Sequence, residues 1–211
     1  MTTNKGFWDH WAGQYDRAMA MSGGLYDQIA ERIRHDLNRD MNVLELACGT
    51  GLLSKRLAGS VRLLEATDFS EAMIRQARVK KHSARLHFSV QDATDLPYAP
   101  ATFDAVVIAN ALHIMPEPEK ALSEIHRILK PGGTLYAPTF VNGEGLGFRL
   151  RVGIMSLGGF KVFSKWSPEE FTVYIAAHGF EVTRTEELGG KLLPLCYLEA
   201  VRPADGGQRE A

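Results

Sequence analysis

The order of apolar and polar positions along the chain predicts strands that alternate with helices. Strand-length segments rich in apolar residues recur along the chain, at 43–47, 61–67, 86–90, 103–109 and 134–140. The segments between them place apolar residues three or four positions apart, which is the period of an amphipathic helix, at 52–58, 70–80 and 118–129. This rhythm predicts an α/β fold with a doubly wound, largely parallel sheet.

Further elements are predicted at the two ends of the chain. Residues 4–38 contain two amphipathic segments, separated by Ser22-Gly23-Gly24, and predict an N-terminal helical cap. Ser167-Pro168-Glu169-Glu170 combines a cap residue, a proline and two acids, which is typical of a helix start. The segments 180–187 and 191–201 predict two last strands, and Gly189-Gly190 between them predicts a hairpin whose final strand is antiparallel.

A single domain is predicted over residues 1–202, followed by a flexible tail at 203–211. One segment, 141–166, interrupts the alternation and is rich in glycine and large apolar residues. We expect it to form a lid over a substrate, with an apolar lining and two cations: Phe148, Met155, Phe160, Phe163, Trp166, Arg149 and Lys161. The same residues could instead pack the insertion onto the sheet, with the cations facing solvent.

Residues able to bind a ligand concentrate where the predicted strands end. The first strand leads into the turn Gly49-Thr50-Gly51, the second ends at Asp68, the third at Asp92 and the fourth at Asn110. In open parallel sheets, ligands bind beyond the carboxyl ends of the strands, and glycines let the backbone approach them. Asp68 stands where a carboxylate can accept from ribose hydroxyls, and Asp92 where one can accept from an adenine amino group. The sequence therefore predicts a nucleoside-containing ligand.

The glycine turn disfavours two other nucleotide ligands. Ser54 stands where the dinucleotide motif G-x-G-x-x-G has its third glycine, and Glu45 just before the turn would repel a pyrophosphate. The chain has no Gly-Lys-Ser or Gly-Lys-Thr sequence that could hold a triphosphate. A ligand that carries a positive charge fits the turn better.

Composition narrows the class of partner. The chain has 211 residues and a net charge of −1, which gives no support to nucleic acid as a partner. Its two cysteines, Cys48 and Cys196, lie far apart and are predicted to be reduced thiols rather than metal ligands. No apolar run reaches the roughly 20 residues of a membrane-spanning helix, and the N-terminus lacks a signal-peptide core. We therefore expect a cytoplasmic protein, monomeric or homodimeric, that acts on a small molecule.

Five motifs in order resemble those of class I S-adenosylmethionine-dependent methyltransferases, over roughly residues 4–200. They are Glu45-Leu-Ala-Cys-Gly-Thr-Gly51, Thr67-Asp68-Phe69-Ser70-Glu-Ala-Met73, Gln91-Asp92-Ala93, Phe103-Asp-Ala-Val-Val-Ile108 and Leu129-Lys-Pro-Gly-Gly133. The resemblance is closest to the small-molecule branch that includes the quinone-biosynthesis enzymes, the methyltransferase-11 type. It implies a Rossmann-like sheet of seven strands in the order 3-2-1-4-5-7-6, with strand 7 antiparallel and helices on both faces.

The same resemblance implies S-adenosylmethionine as cofactor, S-adenosylhomocysteine as product and no metal ion. Residues implied to bind the cofactor come from the motifs and the N-terminal helices: Tyr15, Glu45, Ala47, Gly49, Gly51 and Asn110 at the methionine part, Asp68 at the ribose, and Phe69, Met73, Asp92 and Ala93 at the adenine. Structural roles alone also stay open. The glycines could serve only the turn, Asp68 could only cap the next helix, and Tyr15 could only pack the N-terminal helix.

Methyl transfer from a sulfonium mainly requires alignment of donor and acceptor, which can supply roughly 7–11 kcal/mol of barrier reduction. If a general base takes part, His113 is the candidate, because it follows the fourth strand and can titrate near neutrality. We therefore predict in-line displacement by a small, apolar or aromatic acceptor, with the attacking atom (O, N, S or C) open. Two other functions stay open: a protein that binds the cofactor without turnover, and a nicotinamide-dependent oxidoreductase.

Overall fold

A computed structural model of the chain describes residues 4–20, 24–79, 83–141, 160–189 and 194–204. Within these ranges the strands are β1 Asn42–Leu46, β2 Leu63–Asp68, β3 Leu86–Val90, β4 Phe103–Ile108, β5 Leu129–Tyr136, β6 Thr139–Phe140, β7 Glu181–Leu188 and β8 Leu195–Val201. The helices are α1 Lys5–Trp11, α2 Tyr15–Ala20, α3 Leu25–Asp36, α4 Ser54–Leu57, α5 Glu71–Arg78, α6 Pro118–Ile128 and α7 Pro168–Ala177. Short 3₁₀ turns lie at Ala58–Ser60 and Leu112–Ile114.

The strands form one sheet in the order β3-β2-β1-β4-β5-β8, with β6 and β7 also paired to β8. Neighbours from β3 to β5 pair in parallel, whereas β8 is antiparallel to its three partners. The predicted α/β fold, strand order and antiparallel last strand are confirmed. The predicted fifth strand is divided into β5 and β6, because Pro138 between them has no N–H to donate to the sheet.

Helices cover both faces of the sheet. On one face, α3, α4 and α5 bury Ile29, Leu57 and Ile74 in a core with the strand residue Val43. On the other face, α6 and α7 pack over a second core that includes the alternate β1 residues. Each fully buried aliphatic side chain stabilises the fold by roughly 1.5–3 kcal/mol relative to exposure. Helix packing on both faces therefore holds the carboxyl ends of the strands in place.

Two predicted helix starts are observed with their caps. The Ser70 hydroxyl accepts a hydrogen bond from the backbone N–H of Met73 at 3.1 Å, at the start of α5. Ser167 and Glu170 form a reciprocal capping box at the start of α7. Of the predicted N-terminal helices, however, the first is divided into α1 and α2 around Gly13. A glycine inside a helix costs about 1 kcal/mol relative to alanine, and here the chain turns instead.

The N-terminal helices lie across the carboxyl edge of the sheet. Asp9 on α1 accepts a hydrogen bond from the Ser70 hydroxyl at 2.5 Å. The Asn4 side chain donates to the carbonyls of Ile114 and Lys161, at 3.1 and 2.8 Å. These contacts hold α1 over the loops that follow β2 and β4.

Part of the predicted lid and tail lies outside the described residues, namely Phe148, Arg149, Met155 and positions 205–211. The Phe160 ring packs against Phe7 and Trp8 of α1, with centroids 5.1 and 5.6 Å away. The domain boundary at residue 202 stays a prediction. None of the helices that the structure describes is long and apolar enough to cross a membrane.

Candidate functional site

A cavity of about 220 Å³ lies at the carboxyl edge of the sheet, between the strand ends and α1. Its wall contains nine of the eleven residues that the sequence predicted at a cofactor: Tyr15, Ala47, Gly49, Asp68, Phe69, Met73, Asp92, Ala93 and Asn110. Glu45 and Gly51 do not line it. The strand ends thus converge on one cavity, as their placement in a parallel sheet requires. The individual binding roles stay predictions.

The two glycines of the turn after β1 contact different parts of the protein. A Cβ on Gly49 would lie 3.7 Å from the Tyr15 ring, so this glycine faces the cavity. A Cβ on Gly51 would lie only 2.7 Å from the buried Phe88 ring. Gly51 also has a φ of +75°, a backbone conformation that glycine adopts at no steric cost. Gly51 therefore serves the packing of the turn against the core.

Asp68 is fixed at the end of β2 by two backbone hydrogen bonds. Its Oδ2 accepts from the N–H of Gly49 and its Oδ1 from the N–H of Ser70, both at 2.8 Å. Burial raises the pKa of the carboxyl, and these two hydrogen bonds oppose the rise. Each carboxylate oxygen can accept more than one hydrogen bond. Asp68 can therefore accept donors of a ligand while it keeps its backbone partners.

Asp92 and Phe69 form the outer part of the wall. Asp92 Oδ1 accepts from the Thr94 N–H and hydroxyl, at 2.9 and 2.7 Å, which orients the carboxylate. The Phe69 side chain is 43% exposed at the cavity rim. The Lys5 ammonium lies 5.5 Å from the centre of its ring. An aromatic face and a carboxylate stand here on neighbouring strand ends, where a planar base can bind both.

Glu45 lies behind the glycine turn and is only 2% exposed. Its Oε2 has no hydrogen-bond partner in the part of the chain that the structure describes. Burial raises the pKa of Glu45 to about 8. The fold therefore favours the protonated form of this carboxyl.

Glu45 predicts a stability that depends on pH. Its carboxyl titrates near 4.5 in an ordinary environment and near 8 in the fold, so the folded state binds the extra proton between these values. The stabilisation is fully present below about pH 4.5 and is lost as the pH rises through about 8. We expect Glu45→Gln, which cannot ionise, to match the wild type at pH 5 and to exceed its unfolding free energy by a few kcal/mol at pH 9.

Urea unfolding of the empty protein at the two pH values measures this difference. The exposed Glu31→Gln on α3 is the control, because it removes a carboxylate that lies outside the interior. A Glu45→Gln variant that differs from wild type by the same amount at both pH values would contradict the prediction.

His113 does not face the cavity. It lies in the 3₁₀ turn after β4, is 9% exposed, and its ring is placed edge-on to Phe140 at 6.3 Å. Its backbone carbonyl accepts from the N–H groups of Phe163 and Ser164, at 3.0 and 3.1 Å. Burial lowers the pKa of the imidazole to about 4. The role of general base stays a prediction, and this placement gives it no support.

The cavity also contains residues that the sequence did not single out. From α1 and the residue before it come Asn4, Lys5 and Trp8, and from the loop after β4 come Ile114, Met115, Pro116 and Glu117. The loop residues could have been found, because they follow a parallel strand as Asn110 does. The α1 residues could not, because only tertiary packing places that helix over the strand ends. Among the described residues, no group of His, Cys, Asp or Glu could hold a metal ion.

Comparisons with known proteins agree with the resemblance seen in the sequence and with the fold. Residues 44–137 match the family described as "Methyltransferase domain". The chain is 39% identical over 134 residues to a demethylmenaquinone methyltransferase of Leptospira interrogans, a match that covers 58% of this chain and 54% of the relative. The chain spans about half the length, or less, of the curated relatives it matches.

Solved structures support the same fold at low sequence identity. A putative methyltransferase in complex with the Haloferax volcanii Trm112 methyltransferase activator superposes with a TM-score of 0.80 at 21% identity, covering 93% of this chain and 97% of the other. Magnesium protoporphyrin IX methyltransferase from Synechocystis PCC 6803, with bound S-adenosylhomocysteine, gives 0.67 at 22% identity, covering 90% and 86%. Residues 44–137 of this chain thus match a methyltransferase domain, and its strand order gives the same fold as these solved methyltransferase structures.

Proposed function

We propose that this protein transfers a methyl group from S-adenosylmethionine to a small-molecule acceptor, and that the cofactor binds in the cavity at the strand ends. The observation that carries the proposal is Asp68, a carboxylate on the cavity wall that two backbone N–H groups hold in place. A pair of vicinal ribose hydroxyls is the natural partner for such a carboxylate. Asp92 and Phe69 stand next to it, where the adenine would lie.

The charges around the cavity favour this cofactor over a nicotinamide dinucleotide. The wall carries the carboxyl groups of Asp68, Asp92 and Glu117 against a single cation among the described residues, Lys5. S-adenosylmethionine brings a sulfonium, a positive charge that carboxylates attract. A dinucleotide brings a pyrophosphate, which needs positive groups or a glycine-rich helix start. Ser54, the first residue of α4, stands at the position of the third glycine.

The remaining wall supports a small, apolar or aromatic acceptor. Trp8, Ile114, Met115 and Pro116 supply a largely apolar surface beside the predicted cofactor residues. The name of the curated relatives points to a quinone-type aromatic acceptor for those proteins. An acceptor of this class would stack on Trp8 and contact Met115. The segment 141–166 as a lid over that acceptor remains part of the proposal.

The chemistry asks mainly for alignment. S-adenosylmethionine supplies an electrophilic methyl group together with its own leaving group, so the protein must hold the two reactants in line. Asp68 and the glycine turn would orient the cofactor, while α1 and the loop after β4 would exclude water and hold the acceptor. Alignment of this kind supplies roughly 7–11 kcal/mol of barrier reduction. An acceptor that is already ionised, such as a phenolate or thiolate, needs no general base.

Titration calorimetry with S-adenosylmethionine, S-adenosylhomocysteine and NAD tests the proposal. We expect the first two to bind and NAD not to bind, because the site lacks the features of a pyrophosphate site. Binding of NAD without the other two would contradict it. A screen of phenols, thiols, amines and carboxylic acids for release of S-adenosylhomocysteine then separates an enzyme from a protein that only binds the cofactor. We expect turnover with an aromatic acceptor.

A further inference from the structure

Tyr26, on α3, lies behind the cavity and contacts the N-terminal segment, which forms part of the cavity wall. Its hydroxyl is 2.9 Å from the hydroxyl of Tyr15, which lines the cavity. Its ring packs on the core beneath α3, so its position is fixed by the body of the domain. Tyr26 does not itself line the cavity. The hydrogen bond therefore connects the rigid domain to the N-terminal segment that closes the site.

Asn110, on the cavity wall, also carries buried polar atoms. Both polar atoms of its carboxamide are buried without a hydrogen-bond partner among the described residues. Its backbone is held at a φ of +55°, and its N–H donates to the Pro138 carbonyl at 2.7 Å. Burial raises the pKa of Tyr26, and the adjacent Tyr15 hydroxyl and Asn110 amide oppose the rise. The Tyr26 hydroxyl thus has the hydroxyl of the cavity residue Tyr15 as its hydrogen-bond partner.

The direction of the hydrogen bond decides what Tyr15 can offer to a ligand. A tyrosine hydroxyl has one proton and can also accept. If Tyr26 donates to Tyr15, the Tyr15 proton is left to point into the cavity. Tyr15 then becomes a donor for a carboxylate or another acceptor group of the ligand. If the direction were reversed, Tyr15 could only accept.

We propose that Tyr26 is a positioning residue whose hydroxyl donates to Tyr15 and so directs the Tyr15 proton at the carboxylate of the bound cofactor. This role rests on the proposed function. Tyr26 touches neither the cofactor nor the acceptor. It sets the orientation of the Tyr15 hydroxyl.

Three variants test the role by calorimetry with S-adenosylhomocysteine: Tyr15→Phe, Tyr26→Phe and the double variant. Each single substitution removes one hydroxyl and keeps the ring, and should weaken binding about tenfold, as expected for one lost hydrogen bond to a charged group. Because both act through one interaction, the double variant should also lose about tenfold. A double variant that loses the product of the two effects, or a Tyr26→Phe variant with wild-type affinity, would overturn the proposal.

A second ligand distinguishes a specific effect of Tyr26→Phe on the carboxylate from a general disruption of the site. 5′-Methylthioadenosine has the adenine, ribose and sulfur of the cofactor but no carboxylate. Tyr26→Phe should bind 5′-methylthioadenosine as the wild type does, within about twofold, because this ligand has no carboxylate for the Tyr15 hydroxyl to contact. An equal loss of affinity for both ligands would assign the Tyr26 hydroxyl to folding of the site rather than to the carboxylate.

Stability and a control tyrosine complete the experiment. Tyr174→Phe on α7, away from the cavity, should leave both affinities unchanged. A fall of more than about 10 °C in the melting temperature of the empty Tyr26→Phe protein would show that the hydroxyl is needed for the fold and would overturn the positioning role. A wild type that binds 5′-methylthioadenosine but not S-adenosylhomocysteine would overturn the Tyr26 role alone. A wild type that binds neither of them, nor S-adenosylmethionine, would overturn the proposed function as well.

Discussion

Asp68→Ala is expected to weaken the binding of S-adenosylhomocysteine by at least about a hundredfold. The carboxylate would accept hydrogen bonds from two ribose hydroxyls, and hydrogen bonds to a charged group contribute roughly 1.5–3 kcal/mol each. The substitution also releases the N–H groups of Gly49 and Ser70, which Asp68 now accepts at 2.8 Å. The turn beside the cavity should loosen, which adds to the loss. Titration calorimetry at constant pH and salt measures the change.

Asp68→Asn separates these two contributions. Its carbonyl oxygen can still accept from one backbone N–H, so the turn keeps part of its support while the negative charge is removed. We expect it to lose affinity as well, though by less than alanine does. Asp40→Ala, at an exposed carboxylate before β1, serves as the control and should bind as the wild type does. A folded Asp68→Ala protein with unchanged affinity would remove Asp68 from the site.

Gly51→Ala is expected to lower the free energy of unfolding by roughly 2–5 kcal/mol. An alanine at the φ of +75° would be strained by about 1–2 kcal/mol. Its Cβ would lie 2.7 and 2.9 Å from two carbons of the Phe88 ring, and overpacking of a core typically costs about 1–3 kcal/mol. For a domain of this size the melting temperature should fall by about 5–15 °C. Differential scanning calorimetry of the empty protein measures it.

Gly59→Ala is the matched control for this substitution. Gly59 lies in the 3₁₀ turn Ala58–Ser60, and a Cβ there would meet no atom within 4 Å. Its melting temperature should stay within about 2 °C of the wild type. If Gly51→Ala and Gly59→Ala had the same melting temperature, the close approach of the turn to Phe88 would not exist in solution.

Most of the fold could be predicted from local patterns. Helix starts at Ser70 and Ser167 depend on side chains that satisfy backbone N–H groups one turn away, and the structure shows both caps. The strand order followed from motifs that resemble a known family. The division of the first helix at Gly13 was missed, because the apolar period of Phe7, Trp8, Trp11 and Tyr15 continues through it. The split of the fifth strand was missed, although Pro138 within the predicted strand is a local signal that interrupts strand pairing.

Some residues of the candidate site could also be predicted from local patterns, and others could not. Residues at the ends of parallel strands, such as Asp68, Asp92 and Asn110, could be placed together because the topology alone brings those ends to one edge. Gly51 and Glu45 belong to the same motif as Ala47 and Gly49, yet both lie behind the cavity. The turn directs Gly51 toward Phe88, and β1 directs the Glu45 side chain into the interior. Position next to a motif does not decide which way a side chain points.

By itself, the sequence determined the α/β architecture, the edge of the sheet at which the cavity lies and the carboxylates that meet there. These depend on periodicity and on residues close together in the chain. Only the tertiary structure decided which side chains close the cavity. Trp8 reaches it because α1 crosses the strand ends, Tyr26 meets Tyr15 because α3 packs beside the glycine turn, and His113 turns toward Phe140. The physical reason is that these contacts arise from the packing of distant elements, which no local pattern encodes.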